Sequence, residues 1–168
     1  MQFIDTHHDQ WHTVGGEDGP MAHPPIKSHS LLTLAQWHAV RDQWPAKDAA
    51  DHKPVGVILA NDTDIEVLEA DAAKLSLVVL QFPKWTDGRA YTQARILRAR
   101  YRFGGEIRAT GDVLVDMMPL LARTGFNAVV LRADQDRAAA ERALGFFGAR
   151  GHYQGDVQQT RPVFGRAA

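Results

Sequence analysis

Cysteine is absent from this 168-residue chain, and that one absence removes disulfides, thiolate nucleophiles, cysteine-ligated iron–sulfur clusters and thiolate zinc sites together. Any electrons the protein handles travel on a group that thiolates do not hold. No stretch approaches the run of about 18 apolar residues that a membrane span needs, and the amino terminus lacks the charged, apolar and small-residue order of an export signal. A cytoplasmic protein with no membrane partner is therefore expected. Nor does one charge dominate: 19 Lys and Arg against 20 Asp and Glu leave a net −1, so no global field draws in nucleic acid. Gly15-Gly16 and Gly104-Gly105 form neither a dinucleotide fingerprint nor a phosphate loop, and no serine stands in a nucleophile elbow. What is there is ordinary for one globular domain: 45% hydrophobic and 23% charged residues.

The patterning divides the chain into an N-terminal β segment and linker over 1–30, an α/β domain over 31–150 and a C-terminal tail over 151–168. Residues 3–14 read as a small strand or hairpin, followed by turn chemistry at Gly15 to Pro20 and a non-periodic linker through Ser30. Thr33 and Gln36 form a capping box for a helix through Trp37 and Val40 that Pro45 stops. Val55–Ala60 is a buried strand, and Thr63 with Glu66 predicts a second capped helix through Ile65, Leu68 and Ala72. Leu75–Phe82 is apolar without alternation, as a strand covered on both faces would be. A helix through Tyr91, Ala94 and Leu97 follows, with Gly104-Gly105 as its left-handed end and Arg95, Arg98, Arg100 and Arg102 as its solvated face. Then come a strand at 106–110, a helix at 113–124 that Pro119 must kink or delay and Gly125 closes, a strand at 127–132, and a last helix through Phe147 capped by Asp134 or Asp136. Four strand–helix units with crossovers of this length give a mainly parallel sheet, either a small open sheet or a half-barrel.

Ligands gather at the carboxyl ends of parallel strands. Those ends hold Asn61 and Asp62; Lys84, Thr86, Asp87 and Arg89; Thr110 and Asp112; and Arg132 and Asp134. The loop 84–89 is the densest, with Lys84 or Asp87 as candidate proton carriers. Alternation sends Arg108 to the face opposite Ile107 and Ala109, where its guanidinium needs a carboxylate such as Glu106 or Asp112, or an anionic ligand. Arg89, Arg108 and Arg132 offer planar forks to a small oxyanion, helped by helix amino termini near 90 and 112. The plainer reading makes Asp62, Asp112 and Asp134 helix caps, and Trp11, Trp37 and Trp44 core packing. His7, His8 and His12 complete no metal-ligand spacing, so no metal site is expected, although His8 and His12 fall on one face of a strand through these residues. Neither a cofactor nor an oligomeric state can be read from these residues.

The segments LLTLAQWHAV, VGVILANDTDIE, FPKWTDGRAYTQARILR, GEIRATGDVL and TGFNAVVLRADQD, in that order from about Thr33 to Phe147, resemble the bacterial family known as domain of unknown function 934. Lys84, Asp87, Gly88, Arg89, Arg95, Arg108, Gly111 and Asp112 match it; Trp85, Ala90 and Thr92 stand where members commonly have phenylalanine, glycine and serine. The resemblance implies an accessory or oxidoreductase-type protein of assimilatory sulfate and sulfite reduction, working beside sulfite reductase or adenylylsulfate reductase. Its rim of Lys84, Thr86, Asp87, Arg89, Arg95, Arg108, Thr110, Asp112 and Arg132 would contact an oxyanion or that machinery. Redox chemistry in such a protein would need a flavin or a partner's cofactor. Two other expectations remain beside it: an independent enzyme acting on an anionic small molecule, and a non-catalytic interaction protein.

Overall fold

A computed structural model of the chain describes residues 1–16 and 19–146. Its strands are β1 (Gln2–Phe3), β2 (His12–Thr13), β3 (Gly15–Gly16), β4 (Gly19–Pro20), β5 (Ser30–Thr33), β6 (Val55–Leu59), β7 (Leu77–Phe82), β8 (Glu106–Gly111) and β9 (Ala128–Val129). The helices are α1 (Leu34–Val40), α2 (Arg89–Ala99), α3 (Met118–Thr124) and α4 (Arg137–Gly145), with 3₁₀ turns at Ile65–Leu68 and Val115–Met117. Seven strands form one sheet in the order β1-β9-β8-β7-β6-β5-β2, every pairing parallel, and β3 and β4 make a separate hairpin.

That order decides between the two architectures left open by the sequence. From β5 to β9 each strand lies beside its predecessor on the same side. With right-handed crossovers, an order that never reverses places every helix on one face. The result is a half-barrel. Val57, Leu59, Val78, Leu80, Phe82, Ile107, Ala109 and Val129 line the helix-covered face and pack with Ala90, Ala94, Leu97 and Leu121 in the main core. The alternate residues Leu31, Ile58, Leu77 and Val79 face the other way, with Trp11 packed on them.

Trp11 is there because β1 and β2 sit at opposite edges of the same sheet. Residues 4–11 run between them as a strap across the inner face. The N-terminal segment is thus woven into the sheet, with strands at 2–3 and 12–13. His8 stands in a turn with its Nδ1 2.7 Å from Asp5, rather than on a strand face with His12.

Local chemistry explains the remaining differences. The Thr33–Gln36 capping box forms as expected. At the next helix Asp64, not Thr63, accepts the backbone N–H of Glu66 at 3.0 Å, and only a 3₁₀ turn follows. Pro119 falls in the first turn of α3, delaying that helix to 118 as its missing N–H requires, and Gly125 ends it with φ 109°. Asp136 alone caps α4; the expected extension to Phe147 and the tail over 151–168 lie outside the described residues. After α2 the left-handed residue is Arg102, φ 54°, and not either glycine. Gly105 is needed for a different reason: a Cβ there would sit 2.5 Å from the Ser76 carbonyl oxygen. Arg98, expected on the solvated face, instead donates to the carbonyls of Phe103, Gly105 and Gly125 at 2.6–2.9 Å and staples the end of α2 to the chain after α3. Among the described residues no helix is long and apolar enough to cross a membrane.

Candidate functional site

Two clusters carry the expected site residues, and they lie in different places. The first is the rim at the carboxyl ends of β6 to β9. Pro83 ends β7, and the loop that follows is held by its neighbours: the Trp85 backbone N–H donates to Asp112 at 2.9 Å. Asp112 follows Gly111, whose φ of +96° and close approach to the Phe82 carbonyl exclude a side chain. Arg132, beyond β9, donates to Asp112 at 2.5 Å and to both oxygens of Asp134 at 2.6 and 2.7 Å. Arg89 forks onto Asp87 through Nε at 3.0 Å and Nη2 at 2.6 Å. The loops after β7, β8 and β9 are therefore tied into one ledge, with Asn61 from the loop after β6 beside Asp87.

The electrostatics of that ledge are already balanced. The Arg89 side chain and backbone N–H hold the Asp87 carboxyl far below the usual carboxylate range. The Trp85 N–H and then Arg132 lower Asp112, and Arg132 lowers Asp134 to about 2. Asp62, Asp112 and Asp134 cap no helix: Asp64 caps the 3₁₀ turn at Ile65, the segment after Asp112 turns helical only at Val115, and Asp136 caps α4. Arg89 and Arg132, two of the three arginine forks expected to receive an anion, are filled by carboxylates of the chain itself. Three groups remain open. Lys84 and Thr86 are exposed, and Trp85 is 54% exposed; the Lys84 ammonium has no partner among the described residues. Arg95 is exposed on α2, away from this ledge.

The second cluster is on the inner face. Arg108 and Thr110 alternate on that side of β8, so Arg108 does not reach the rim with Arg89 and Asp112. Its side chain is 4% exposed. Nε donates to Glu106 at 2.7 Å, while Nη1 and Nη2 both face Asp9 of the strap. Cross-strand register places Val79 beside Arg108 and Gln81 beside Thr110. Asp9 was not foreseeable, being 99 residues away in sequence from the arginine it meets. Gln81 did leave a trace, as a polar residue interrupting an apolar strand.

A third feature lies where the 61–64 loop meets α2. Gln93 donates to the carbonyls of Ala60 and Thr63 at 3.0 and 2.8 Å, which fixes the outer end of the loop. Its Oε1 and the Asn61 amide nitrogen are buried without a partner among the described residues. Tyr91, packed against Phe82 and Phe126, has its hydroxyl pushed up to about 12 by burial, which disfavours the phenolate. No group of three or more metal-ligating side chains is present among the described residues.

No curated protein matches the chain. The family model for a bacterial protein of unknown function (DUF934) matches residues 56–164, well over half of the sequence, from β6 through the rim loops and beyond α4. All of the rim and all of the inner-face cluster except Asp9 fall within that segment, and the chain belongs to this family.

Proposed function

We propose that the protein is a non-catalytic accessory of assimilatory sulfite reduction that docks on a partner protein through the loop 83–88. The observation that carries the docking is Trp85: a large aromatic, 54% exposed, on a loop whose backbone Asp112 pins. Exposed aromatics on ordered loops are typical anchors of protein interfaces, because they bury much area while losing little conformational freedom. Lys84 and Thr86 flank it with unpaired donors. Asp87 is held ionised by Arg89, so it is a poor proton donor at neutral pH, and Arg89 and Arg132 are occupied. These features favour docking over turnover. The sulfur context comes from the resemblance carried by the segments around Lys84 and Arg108, and makes sulfite reductase or adenylylsulfate reductase the partner.

The test is complementation in a deletion strain. The deletion is expected to grow on cysteine but not on sulfate, and the Trp85→Ala variant is expected to melt like wild type yet fail to restore growth on sulfate. Purified sulfite reductase or adenylylsulfate reductase should cross-link to the wild type and not to the variant. Full rescue by Trp85→Ala would overturn the docking role; a deletion that grows normally on sulfate would overturn the sulfur assignment.

A further inference from the structure

We propose that Asp9 sits in the place of a ligand: the inner face of β7 and β8 is a site for a monoanionic oxyanion, a carboxylate or hydrogensulfite, which the 4–11 strap closes with its own carboxylate. The inference is independent of the Trp85 loop. Arg108 and Glu106 come from one strand, so the guanidinium is oriented through its Nε whether or not the strap is in place. Its remaining edge, Nη1 and Nη2, turns outward to a carboxylate, the geometry in which arginine binds oxyanions. Further along the same face stand Thr110, half-buried, and Gln81, exposed and paired with it by register. Neither side chain is engaged by a described residue. One charged donor and two neutral ones thus line the floor from mid-sheet toward the rim.

The strap has the attributes of a removable cover. It hangs between two strands of two residues each, and among the described residues only the side chains of Asp9 and Trp11 attach its middle to the sheet. Thr6, His7, His8 and Gln10 are exposed. The Trp11 indole N–H is buried without an acceptor among the described residues, so that side chain is held by packing. A cleft of ≈ 410 Å³ opens beside the Asp9–Arg108 contact, walled by Gln2, Asp5, His8, Gln10 and Glu106. With Asp5, Asp9 and Glu106 against one arginine, the closed cleft repels anions, so the ligand must replace Asp9 rather than join it. Glu106 already balances Arg108, which favours a single negative charge on the ligand.

Hydrogen exchange on the full chain tests this at constant ionic strength, with sulfite at pH 6, acetate or chloride added. Sulfite or acetate should speed exchange at the hydrogen-bonded amides of His8, Trp11 and His12 severalfold, while β7 and β8 stay protected. Asp9→Asn keeps the shape and removes the charge; its thermal-shift titration should show anion binding at least tenfold tighter than wild type, weakened again by Thr110→Val. A response to both anions assigns a general carboxylate-sized site, and a response to sulfite alone assigns a sulfur oxyanion. Unchanged strap exchange in the wild type overturns the proposal and makes Asp9–Arg108 a plain buried ion pair. That measurement decides the matter even should Asp9→Asn fail to fold.

Discussion

Arg108 and Arg132 are the same arrangement in two environments. Each guanidinium is shared by two carboxylates, Asp9 and Glu106 in one case and Asp112 and Asp134 in the other, and each has one partner two residues away on its own segment. The difference is water. The Arg108 side chain is 4% exposed and that of Arg132 is 42% exposed. Inside, the guanidinium has been stripped of solvent and depends on carboxylates that keep 14% and 21% of their exposure; outside, water and salt compete for the arginine as well. Removing the buried arginine is therefore expected to cost more stability than removing the exposed one, which organises loops at little energetic consequence.

Breaking the buried cluster should have the largest effect. Arg108→Ala leaves Asp9 and Glu106 facing each other without a counter-ion, and is expected to cost about 3–5 kcal/mol in urea denaturation. Replacing all three charges together, with Asp9→Leu, Glu106→Leu and Arg108→Met, should recover most of that loss. A triple variant as unstable as Arg108→Ala would mean the cluster is required for the fold rather than merely costly to break.

Gly111 joins the two regions, since it carries β8 from the inner face to Asp112. Gly111→Ala forces a side chain into a left-handed backbone beside the Phe82 carbonyl, which should cost about 1–3 kcal/mol. It should also loosen the Trp85 loop, seen as faster exchange of the Trp85 amide. Arg132→Ala belongs at the other end of the scale: a small fall in melting temperature, shrinking further in 1 M salt. A loss comparable to Arg108→Ala would erase the contrast between inside and outside.

Acid sharpens the same contrast through the rim. Asp87, Asp112 and Asp134 all have folded pKa values below the ordinary 3.8. Their contribution is fully present above that value and is lost as pH falls through the folded ones, about 2 for Asp134. The melting difference between wild type and Arg132→Ala should stay constant from pH 8 to about 5 and vanish between about pH 4 and 2. A difference that changes near neutrality would place the linkage on another group.

The elements were legible where one segment contains its own cause. The Thr33–Gln36 box, the apolar run of β7, Pro119 and Gly125 each act within a few residues, and each formed as expected. Caps at Asp112 and Asp134 failed because a carboxylate near a helix start also fits an arginine, from another loop or from its own, and here Arg132 took both; the cap expected of Asp62 fell to Asp64. Arg98 looked solvated because helical spacing says which residues share a face but not what chain returns to cover it. The rim residues were identifiable individually, since strand ends can be located from hydrophobic runs. That their arginines are already neutralised was not, because pairing depends on which loops become neighbours.

By itself the sequence determined that this is an α/β protein with parallel strands, that its chemistry excludes thiols, and that charged groups collect after β7. Those properties follow from composition and from periodicities of two and 3.6 residues, which are local. Only the tertiary structure decided that the sheet is a half-barrel with a strap over its hollow face, that Arg108 lies inside while Arg132 lies outside, and that Asp9 meets an arginine 99 residues further on. Strand order and strap placement bring together residues that no pattern along the chain connects, and burial then sets what each pairing is worth.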